Sequence, residues 1–287
     1  MPEGPECRCM GDGLANVLEK ICKSNNIKTL SIYHIEIKDP GFKNNMADVP
    51  LPINIIRVFT KGKKVIIELE KKKYLIFSFG MSGTFALQES KHTRIVFHIG
   101  TTNTIFEDMI VCDEKVKIYF NDVRKFGSID FVSDLDKHLE KVGPDVLEAA
   151  LTTPLTTNEW MESFSKIGKK RNIASALLDP SFVSGIGNYC KSDILYQAGI
   201  SPHRTASSLT CEEWERIRKA AHDIILESYR KGGLSIKDYV LIDGNPGNYQ
   251  PKVYNREFDD HGNRVIKENI NARPTYWVPE LQNTEKF

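Results

Sequence analysis

The hydrophobic period of the chain changes once, near residue 133, and this change limits the possible folds more than any other feature. Before it, short apolar runs rich in Val, Ile, Phe and Tyr are separated by Gly, Asn, Asp or charged turns, a pattern typical of antiparallel strands. The predicted strands are 53–59, 64–69, 74–79, 94–99, 116–120 and 128–132. After it, apolar residues recur at helical spacing. The sequence therefore predicts an α+β protein with an N-terminal antiparallel β-sandwich and a C-terminal helical domain.

Helix signals and turn residues refine this division. A helix is predicted at 14–23, ahead of the strands, and Thr156 and Thr210 each open a Thr-x-x-Glu capping box in the helical part. Beyond residue 243 the chain is rich in Gly, Pro and Asn, with strands predicted at 251–258 and 274–278 around a turn at 260–263. We expect three segments: 1–133 as the β-sandwich, 134–250 as the helical domain, and 251–287 as a β-hairpin with its tail.

Charge is the first indication of the partner. With 39 Lys and Arg against 38 Asp and Glu the net charge is +1, which by itself argues against a nucleic-acid-binding protein. However, segment 57–73 holds seven basic and two acidic residues, and 166–171 holds four basic residues and no acidic one. Segments 106–114 and 134–148 carry the compensating acidic excess. Because DNA responds to the field within about 10 Å, the net charge does not exclude DNA binding.

Several protein classes are excluded by composition. The six cysteines form no C-x-x-C pair, which argues against both a structural zinc site and a disulfide framework. No apolar run approaches the roughly 20 residues of a membrane span, and no signal peptide is visible. We expect a soluble intracellular protein; the sequence leaves its compartment open.

The N-terminus carries a candidate nucleophile. If Met1 is removed, Pro2 presents a secondary amine, whose pKa of about 8 leaves much of it unprotonated near neutral pH. Such an amine attacks an aldehyde carbon to give a permanently charged iminium, which favours β-elimination. Glu3, the next residue, is a candidate general acid or base.

The first six residues, Met-Pro-Glu-Gly-Pro-Glu, resemble the opening of the formamidopyrimidine-DNA glycosylase/endonuclease VIII family of base-excision repair enzymes. The resemblance implies that Pro2 is the Schiff-base nucleophile and Glu3 the acid/base. Glu6 falls on a further acidic position of the motif.

Other segments resemble the family in the same order. Lys63, after the Gly62 turn, matches the family's hairpin lysine, which contacts the phosphate near the lesion. Residues 80–83, Gly-Met-Ser-Gly, resemble the loop whose apolar side chain, here Met81, fills the gap left by a flipped base. Residues 121–127 resemble the companion loop, in which Arg124 contacts the orphaned base and Phe126 stacks beside it; His92 falls on another DNA-contact position.

The glycine turn at 183–189 resembles the family's helix–two-turn–helix motif. Its backbone amides can bind a phosphate, and Asn188 matches the asparagine that contacts the DNA backbone. Lys169, in the basic segment before it, sits on a DNA-contact lysine.

The C-terminal segment resembles the family's zinc finger without its ligands. Arg273 keeps the position of the finger's DNA-contacting residue, where it assists δ-elimination. Val278 and Leu281 stand where zinc-bearing relatives have cysteines, and the other cysteine pair is also absent. We predict no metal, with these two apolar residues packed in its place, as in the zincless finger of some endonuclease VIII-like enzymes.

The resemblance implies a bifunctional DNA glycosylase and AP lyase that flips and removes oxidised bases and cleaves the strand by β,δ-elimination. We expect damaged DNA as its partner, no cofactor, no membrane, and a monomer. Two features point to different lesions: the residues Met81, Arg124 and Phe126 resemble the oxidised-purine branch, and the finger resembles the endonuclease VIII-like branch. We favour oxidised pyrimidines and hydantoin lesions. A purine- or formamidopyrimidine-directed enzyme and a catalytically silent DNA-damage-binding protein are the alternatives.

Overall fold

The computed structural model describes residues 2–106, 109–166, 168, 170–235 and 239–282, with the backbone alone at 102–106 and 109–114. Close contacts between Cα atoms divide the chain into two units. Unit 1 is formed by Met1–Pro2, Glu6–Glu140 and Ser235–Gly247, and unit 2 by Glu3–Pro5, Lys141–Leu234 and Asn248–Phe287. The three-segment division at 133 and 250 stays a prediction, and the structure adds that 235–247 belongs with the sandwich.

Unit 1 is the predicted antiparallel β-sandwich. Its elements are α1 Gly4–Ser24, β1 Ser31–Ile37, β2 Ile53–Lys61, β3 Lys64–Leu69, β4 Lys73–Ser78, β5 Gly83–Ala86, β6 Thr93–Phe106, β7 Met109–Asp122, β8 Ser128–Val132 and α2 Leu135–Leu139. The strand order is β5-β7-β6-β1-β2-β3-β4-β8, and β1 pairs with β2 at two positions only. The two halves of the sheet, β5-β7-β6-β1 and β2-β3-β4-β8, pack face to face, since the ring of Phe77 in β4 contacts those of Phe85, Phe97 and Phe120 in β5, β6 and β7.

The hydrophobic pattern of the sequence did not predict strands β1 and β5 or the first ten residues of helix α1. Strand β1 mixes buried, half-buried and exposed residues without regular alternation, and β5 has only four residues. Helix α1 begins ten residues before the predicted start, because Pro5 is tolerated in a first turn and Gly11 allows close packing. A Cβ at Gly11 would lie 2.7 Å from Cγ2 of Thr60 in β2.

Unit 2 contains the predicted helices and the hairpin. Its elements are α3 Val146–Leu151, α4 Thr157–Ser163, α5 Ile173–Leu177, α6 Asn188–Ala198, α7 Cys211–Arg230, β9 Ile266–Ile270, β10 Arg273–Trp277 and α8 Pro279–Gln282. Both capping boxes are confirmed: the hydroxyls of Thr156 and Thr210 each accept from the backbone N–H three residues later. The ring of Phe164 contacts those of Trp160 in α4 and Trp214 in α7. None of the helices in the described ranges is long and apolar enough to cross a bilayer.

The hairpin departs from the prediction at its first strand. Segment 251–258 is wrong as a strand; the partner of β10 is β9, joined by a two-residue turn at Asn271 and Ala272, both with positive φ. The reason lies in α6, where the buried carboxylate of Asp193 accepts the backbone N–H groups of Lys252, Val253 and Tyr254. These N–H groups are therefore not available to a strand ladder.

Candidate active site

The carboxylate of Glu3 lies against the N-terminus of α6. Its Oε2 accepts the backbone N–H of Gly187 at 2.7 Å and that of Cys190 at 3.3 Å, and its Oε1 accepts the N–H of Tyr189 at 3.0 Å. These are N–H groups that a helix leaves without internal partners, and the helix dipole points its positive end at them. The carboxylate is only 2% exposed, so this end of α6 is a built anion site.

Glycines make this approach possible. A Cβ on Gly187 would lie 2.2 Å from Cδ of Glu3, and the backbone N–H of Gly4 donates to the carbonyl of Gly185 at 2.8 Å. Gly185 has φ +101°, which a side chain would strain, whereas Gly187 has φ −126° and needs glycine for space alone. Sequence analysis expected the backbone N–H groups of this turn to bind a phosphate, but those of Gly187 and Tyr189 bind the predicted acid/base instead.

Asn188 and Arg273 lie in the same unit as Glu3. Asn188 is the first residue of α6, and its Oδ1 is buried and accepts no hydrogen bond from the described residues. Arg273 is exposed at the first position of β10, directly after the hairpin turn. Both side chains are placed by rigid elements, α6 and the β9–β10 hairpin.

A residue that the sequence did not indicate joins these groups. Lys191 of α6 is fully buried, and its Nζ donates to the carbonyl of Pro274 at 3.1 Å and to Oγ1 of Thr275 at 2.8 Å. Burial lowers the pKa of Lys191 to about 8, while attraction to Glu3 opposes that shift and repulsion from Arg273 adds to it. Glu3 and Arg273 are thus the two charges that act on the buried ammonium of Lys191.

Four predicted DNA-contact residues come together at one end of unit 1. Nη1 of Arg124 approaches Sδ of Met81 at 3.8 Å, and the backbone carbonyl of His92 accepts the N–H of Asp122 at 3.0 Å. Phe126 is 63% exposed in the same loop. An exposed aromatic side chain and an exposed guanidinium on adjoining loops are suited to base stacking and hydrogen bonding.

Asp122 organises these loops, and sequence analysis gave it no role. Its buried carboxylate accepts the hydroxyl of Ser82 at 2.6 Å and the backbone N–H groups of Gly127 at 2.8 Å and Arg124 at 3.2 Å. The hydroxyl of Ser82 also accepts the N–H of Arg124 at 2.9 Å. The sequence signal that could have indicated this role is the position of Asp122 directly before the loop that carries Arg124 and Phe126.

The remaining predicted residues are less tightly defined. Lys63 is half-buried in the two-residue turn between β2 and β3, after Gly62 with φ +59° and directly before the strand. Pro2 is buried ahead of α1. Lys169 lies outside the described residues.

The end of the hairpin is closed by one of the two predicted apolar residues and by a neighbouring amide. Val278 is fully buried with Val253, Val265 and Tyr276, as expected, but Leu281 is 47% exposed and does not fill the predicted place. Gln282 does so instead: its Oε1 accepts the N–H of Val278 at 2.7 Å, and its Nε2 donates to the carbonyl of Ile200 at 2.9 Å.

A carboxylate organises the other end of the hairpin. Oδ1 of Asp259 accepts the N–H groups of His261 at 2.9 Å and Asn263 at 2.8 Å, and Oδ2 accepts the hydroxyl of Tyr196 at 2.9 Å. Burial acts to raise the pKa of Asp259, but these hydrogen bonds and that of the Asn263 amide lower it to about 2. In the described ranges no group of three His, Cys, Asp or Glu side chains could hold a metal ion, so the residues present do not fit zinc.

Comparison with known proteins identifies the family. The model of the formamidopyrimidine-DNA glycosylase N-terminal domain matches residues 1–129, and that of the formamidopyrimidine-DNA glycosylase H2TH domain matches 142–240. A formamidopyrimidine-DNA glycosylase of Listeria monocytogenes is 32% identical over 236 residues, covering 77% of this chain and 79% of the relative. The chain belongs to the formamidopyrimidine-DNA glycosylase family.

Other members of the family match along nearly the whole chain. The formamidopyrimidine-DNA glycosylase of Carboxydothermus hydrogenoformans is 28% identical over 98% of this chain and 100% of its own length. The crystal structure of the MutM (Fpg) protein of Thermus thermophilus has a TM-score of 0.79 at 26% identity, covering 98% of each chain. A Lactococcus lactis Fpg mutant in complex with DNA containing Fapy-dG shares the fold, with a TM-score of 0.79 at 22% identity over 99% of this chain and 100% of that one.

Family membership confirms the predicted enzyme class. The protein is a DNA glycosylase of base-excision repair with AP lyase activity. This favours the enzyme over the catalytically silent DNA-binding alternative.

Proposed function

We propose that the enzyme works through Pro2 as an N-terminal Schiff-base nucleophile and removes oxidised pyrimidines and hydantoin lesions in preference to oxidised purines. The observation that carries the mechanism is the carboxylate of Glu3, held by three backbone N–H groups at the N-terminus of α6. Because Pro2 directly precedes Glu3, their Cα atoms are about 3.8 Å apart, and fixing one residue restricts the other.

The proposed reaction has a base-release stage and a strand-cleavage stage. The Pro2 nitrogen attacks C1′ of the deoxyribose, the N-glycosidic bond breaks, and the base leaves with a proton. The sugar ring opens as the iminium forms, with Glu3 transferring the protons. Loss of a proton from C2′ then breaks the C3′–O bond and releases the first phosphate. Loss of a proton from C4′ breaks the C5′–O bond and releases the second. Water hydrolyses the remaining iminium and restores the Pro2 amine.

Positive side chains support the eliminations, because both leaving groups are phosphates. Arg273 is exposed at the end of β10, and Lys63 lies on the β2–β3 turn. Each can hydrogen-bond a phosphate oxygen as negative charge develops there. We also propose that Asn188, at the start of α6, and Lys169 bind the DNA backbone.

The loops around Asp122 support base flipping. Met81 would fill the space of the extruded nucleotide, Phe126 would stack beside it, and Arg124 would hydrogen-bond the opposite base. His92, whose carbonyl is tied to Asp122, would contact the backbone. The exposure of Phe126 supports this role, since a ring 63% exposed contributes little to the core.

The lesion preference rests on the finger. We propose that the β9–β10 hairpin is a zincless finger stabilised by Asp259, Val278 and Gln282, like that of endonuclease VIII-like enzymes. The second candidate is a preference for formamidopyrimidine and other oxidised purines. It is favoured by the relatives, which are formamidopyrimidine-DNA glycosylases, and by the set of Met81, Arg124 and Phe126.

Borohydride trapping tests the mechanism. The protein, with loss of Met1 established by intact mass, is incubated with a duplex containing 5-hydroxyuracil and reduced. We expect a covalent protein–DNA adduct. The matched control is the same protein with Met1 retained, where the proline nitrogen is an amide and no adduct should form. A processed protein that gives no adduct, while still cleaving AP sites, would overturn the role of Pro2.

Single-turnover excision tests the lesion preference. Rates are compared for 5-hydroxyuracil, a spiroiminodihydantoin, 8-oxoguanine and formamidopyrimidine-guanine in otherwise identical duplexes. We expect the first two to be released faster. Faster release of the last two would establish the purine-directed alternative.

A further inference from the structure

Lys191 is the one fully buried lysine in the described part of the chain, and the proposed chemistry gives it no role. A buried ammonium is costly unless its donors are satisfied. Here both hydrogen bonds of the ammonium go to strand β10, one to the backbone carbonyl of Pro274 and one to the hydroxyl of Thr275. Burial of this kind is seldom retained for stability alone, since an apolar side chain fills such a place at least as well.

The contact leads directly to Arg273. The hydroxyl of Thr275 accepts from Lys191 at 2.8 Å and donates to the carbonyl of Arg273 at 3.3 Å. The next residue of α6, Ser192, accepts the N–H of Tyr276 at 3.3 Å. Successive residues of α6 therefore hold successive residues of β10, and the position of Arg273 depends on them.

We propose that Lys191 is a positioning residue of the lyase reaction, which fixes β10 to α6 so that Arg273 meets the phosphate released in δ-elimination. The same ammonium interacts with Glu3 at the start of α6, so one side chain links the predicted acid/base with the predicted phosphate-binding residue. This inference rests on the proposed β,δ-elimination.

Product analysis tests it. A duplex with one AP site is incubated in single turnover with wild type and Lys191→Met, which keeps the length of the side chain and removes its charge and donors. We expect δ-elimination to slow about 10- to 100-fold, as a displaced catalytic contact does. β-Elimination and borohydride trapping should slow less than δ-elimination, so that the ratio of δ- to β-product falls, because the hydrogen bonds of Lys191 go to the strand that carries Arg273. Lys219→Met, an exposed lysine of α7, is the matched control.

A second variant separates positioning from folding. Thr275→Val removes the shared hydroxyl without changing any charge and should also lower δ- relative to β-product. In an Arg273→Ala background, Lys191→Met should cause no further loss of δ-product, because the effect passes through Arg273. An unchanged δ-to-β ratio in folded Lys191→Met, or an equal loss with and without Arg273, would refute the proposal. If wild type itself gives neither adduct nor δ-product, the proposed function fails instead.

Discussion

Replacing Gly187 with alanine should show that this glycine is required by Glu3 and not by the backbone. Gly187 has φ −126° and ψ −157°, an extended conformation open to any residue. A new Cβ would lie 2.2 Å from Cδ and 2.3 Å from Oε1 of Glu3, so the carboxylate must leave. It would lose three hydrogen bonds of the charge-assisted kind, each contributing about 1.5–3 kcal/mol. Allowing for water reaching the freed carboxylate, we expect the free energy of unfolding to fall by about 3–5 kcal/mol.

The assay is a double-mutant cycle in urea denaturation. Glu3→Ala alone should be destabilising by a similar amount, because it leaves the same N–H groups without their acceptor. In that background the space around Gly187 is vacant, and Gly187→Ala should lower the free energy of unfolding by no more than about 1 kcal/mol, the ordinary penalty for Ala at an N-cap. The coupling energy between the two positions is therefore expected at about 3 kcal/mol.

Gly41→Ala provides the control. Its Cβ would meet only Oδ1 of Asp39 at 3.5 Å, an ordinary contact, and its stability should change by less than about 0.5 kcal/mol. If Gly187→Ala is equally destabilising with and without Glu3, the contact between Cβ and carboxylate is not the cause and the reasoning is refuted.

Four further perturbations follow from the structure. Asp122→Asn replaces an acceptor by a partial donor facing the N–H of Gly127, and should weaken lesion-DNA binding about tenfold and lower the Tm by several degrees, measured by titration and calorimetry. Phe126→Ala should weaken binding to lesion DNA to a similar extent but change the free energy of unfolding by less than about 0.5 kcal/mol, because the ring is exposed. A loss of stability as large as that of Asp122→Asn would contradict the proposed stacking role of the exposed ring. Folding lowers the pKa of Asp259 from 3.8 to about 2, so the stabilisation by its carboxylate is present above pH 3.8 and lost as the pH falls through 2; the Tm difference between wild type and Asp259→Asn should shrink across that range. Treatment with a chelator should leave base excision unchanged and elemental analysis should find no zinc, whereas a stoichiometric metal would contradict the apolar closure around Val278.

Sequence pattern was sufficient where a residue's environment is set by its near neighbours. Strands β3 and β8 begin and end as predicted, because both are bounded by turns and carry continuous β-formers. The capping boxes at Thr156 and Thr210 are local motifs and were found for the same reason. Segment 251–258 failed because the competing hydrogen-bond acceptor, Asp193, lies far away in the chain.

The candidate site divides in the same way. Pro2, Glu3 and Asn188 could be named from motifs, but the reason for Gly187 could not, since it depends on a residue 184 positions away. Lys191 and Asp122 resemble ordinary charged residues in sequence, and only their burial and bonding partners distinguish them. Hydrophobic pattern does not predict the burial of Leu281 and Gln282. The apolar Leu281 is exposed, whereas the polar Gln282 is buried because its amide oxygen and amide nitrogen both have hydrogen-bond partners.

The closure of the hairpin by Asp259, Val278 and Gln282 also bears on the conditions in which the enzyme works. A thiolate-ligated finger is open to oxidation of its sulfurs, and the loss of one ligand releases the metal and the fold with it. The segment 248–282 contains no cysteine, and the groups that hold it are a carboxylate, an amide and aliphatic side chains. Peroxide has no thiol to attack there. Oxidation of thiols, which can release a thiolate-bound metal, therefore has no target in this segment.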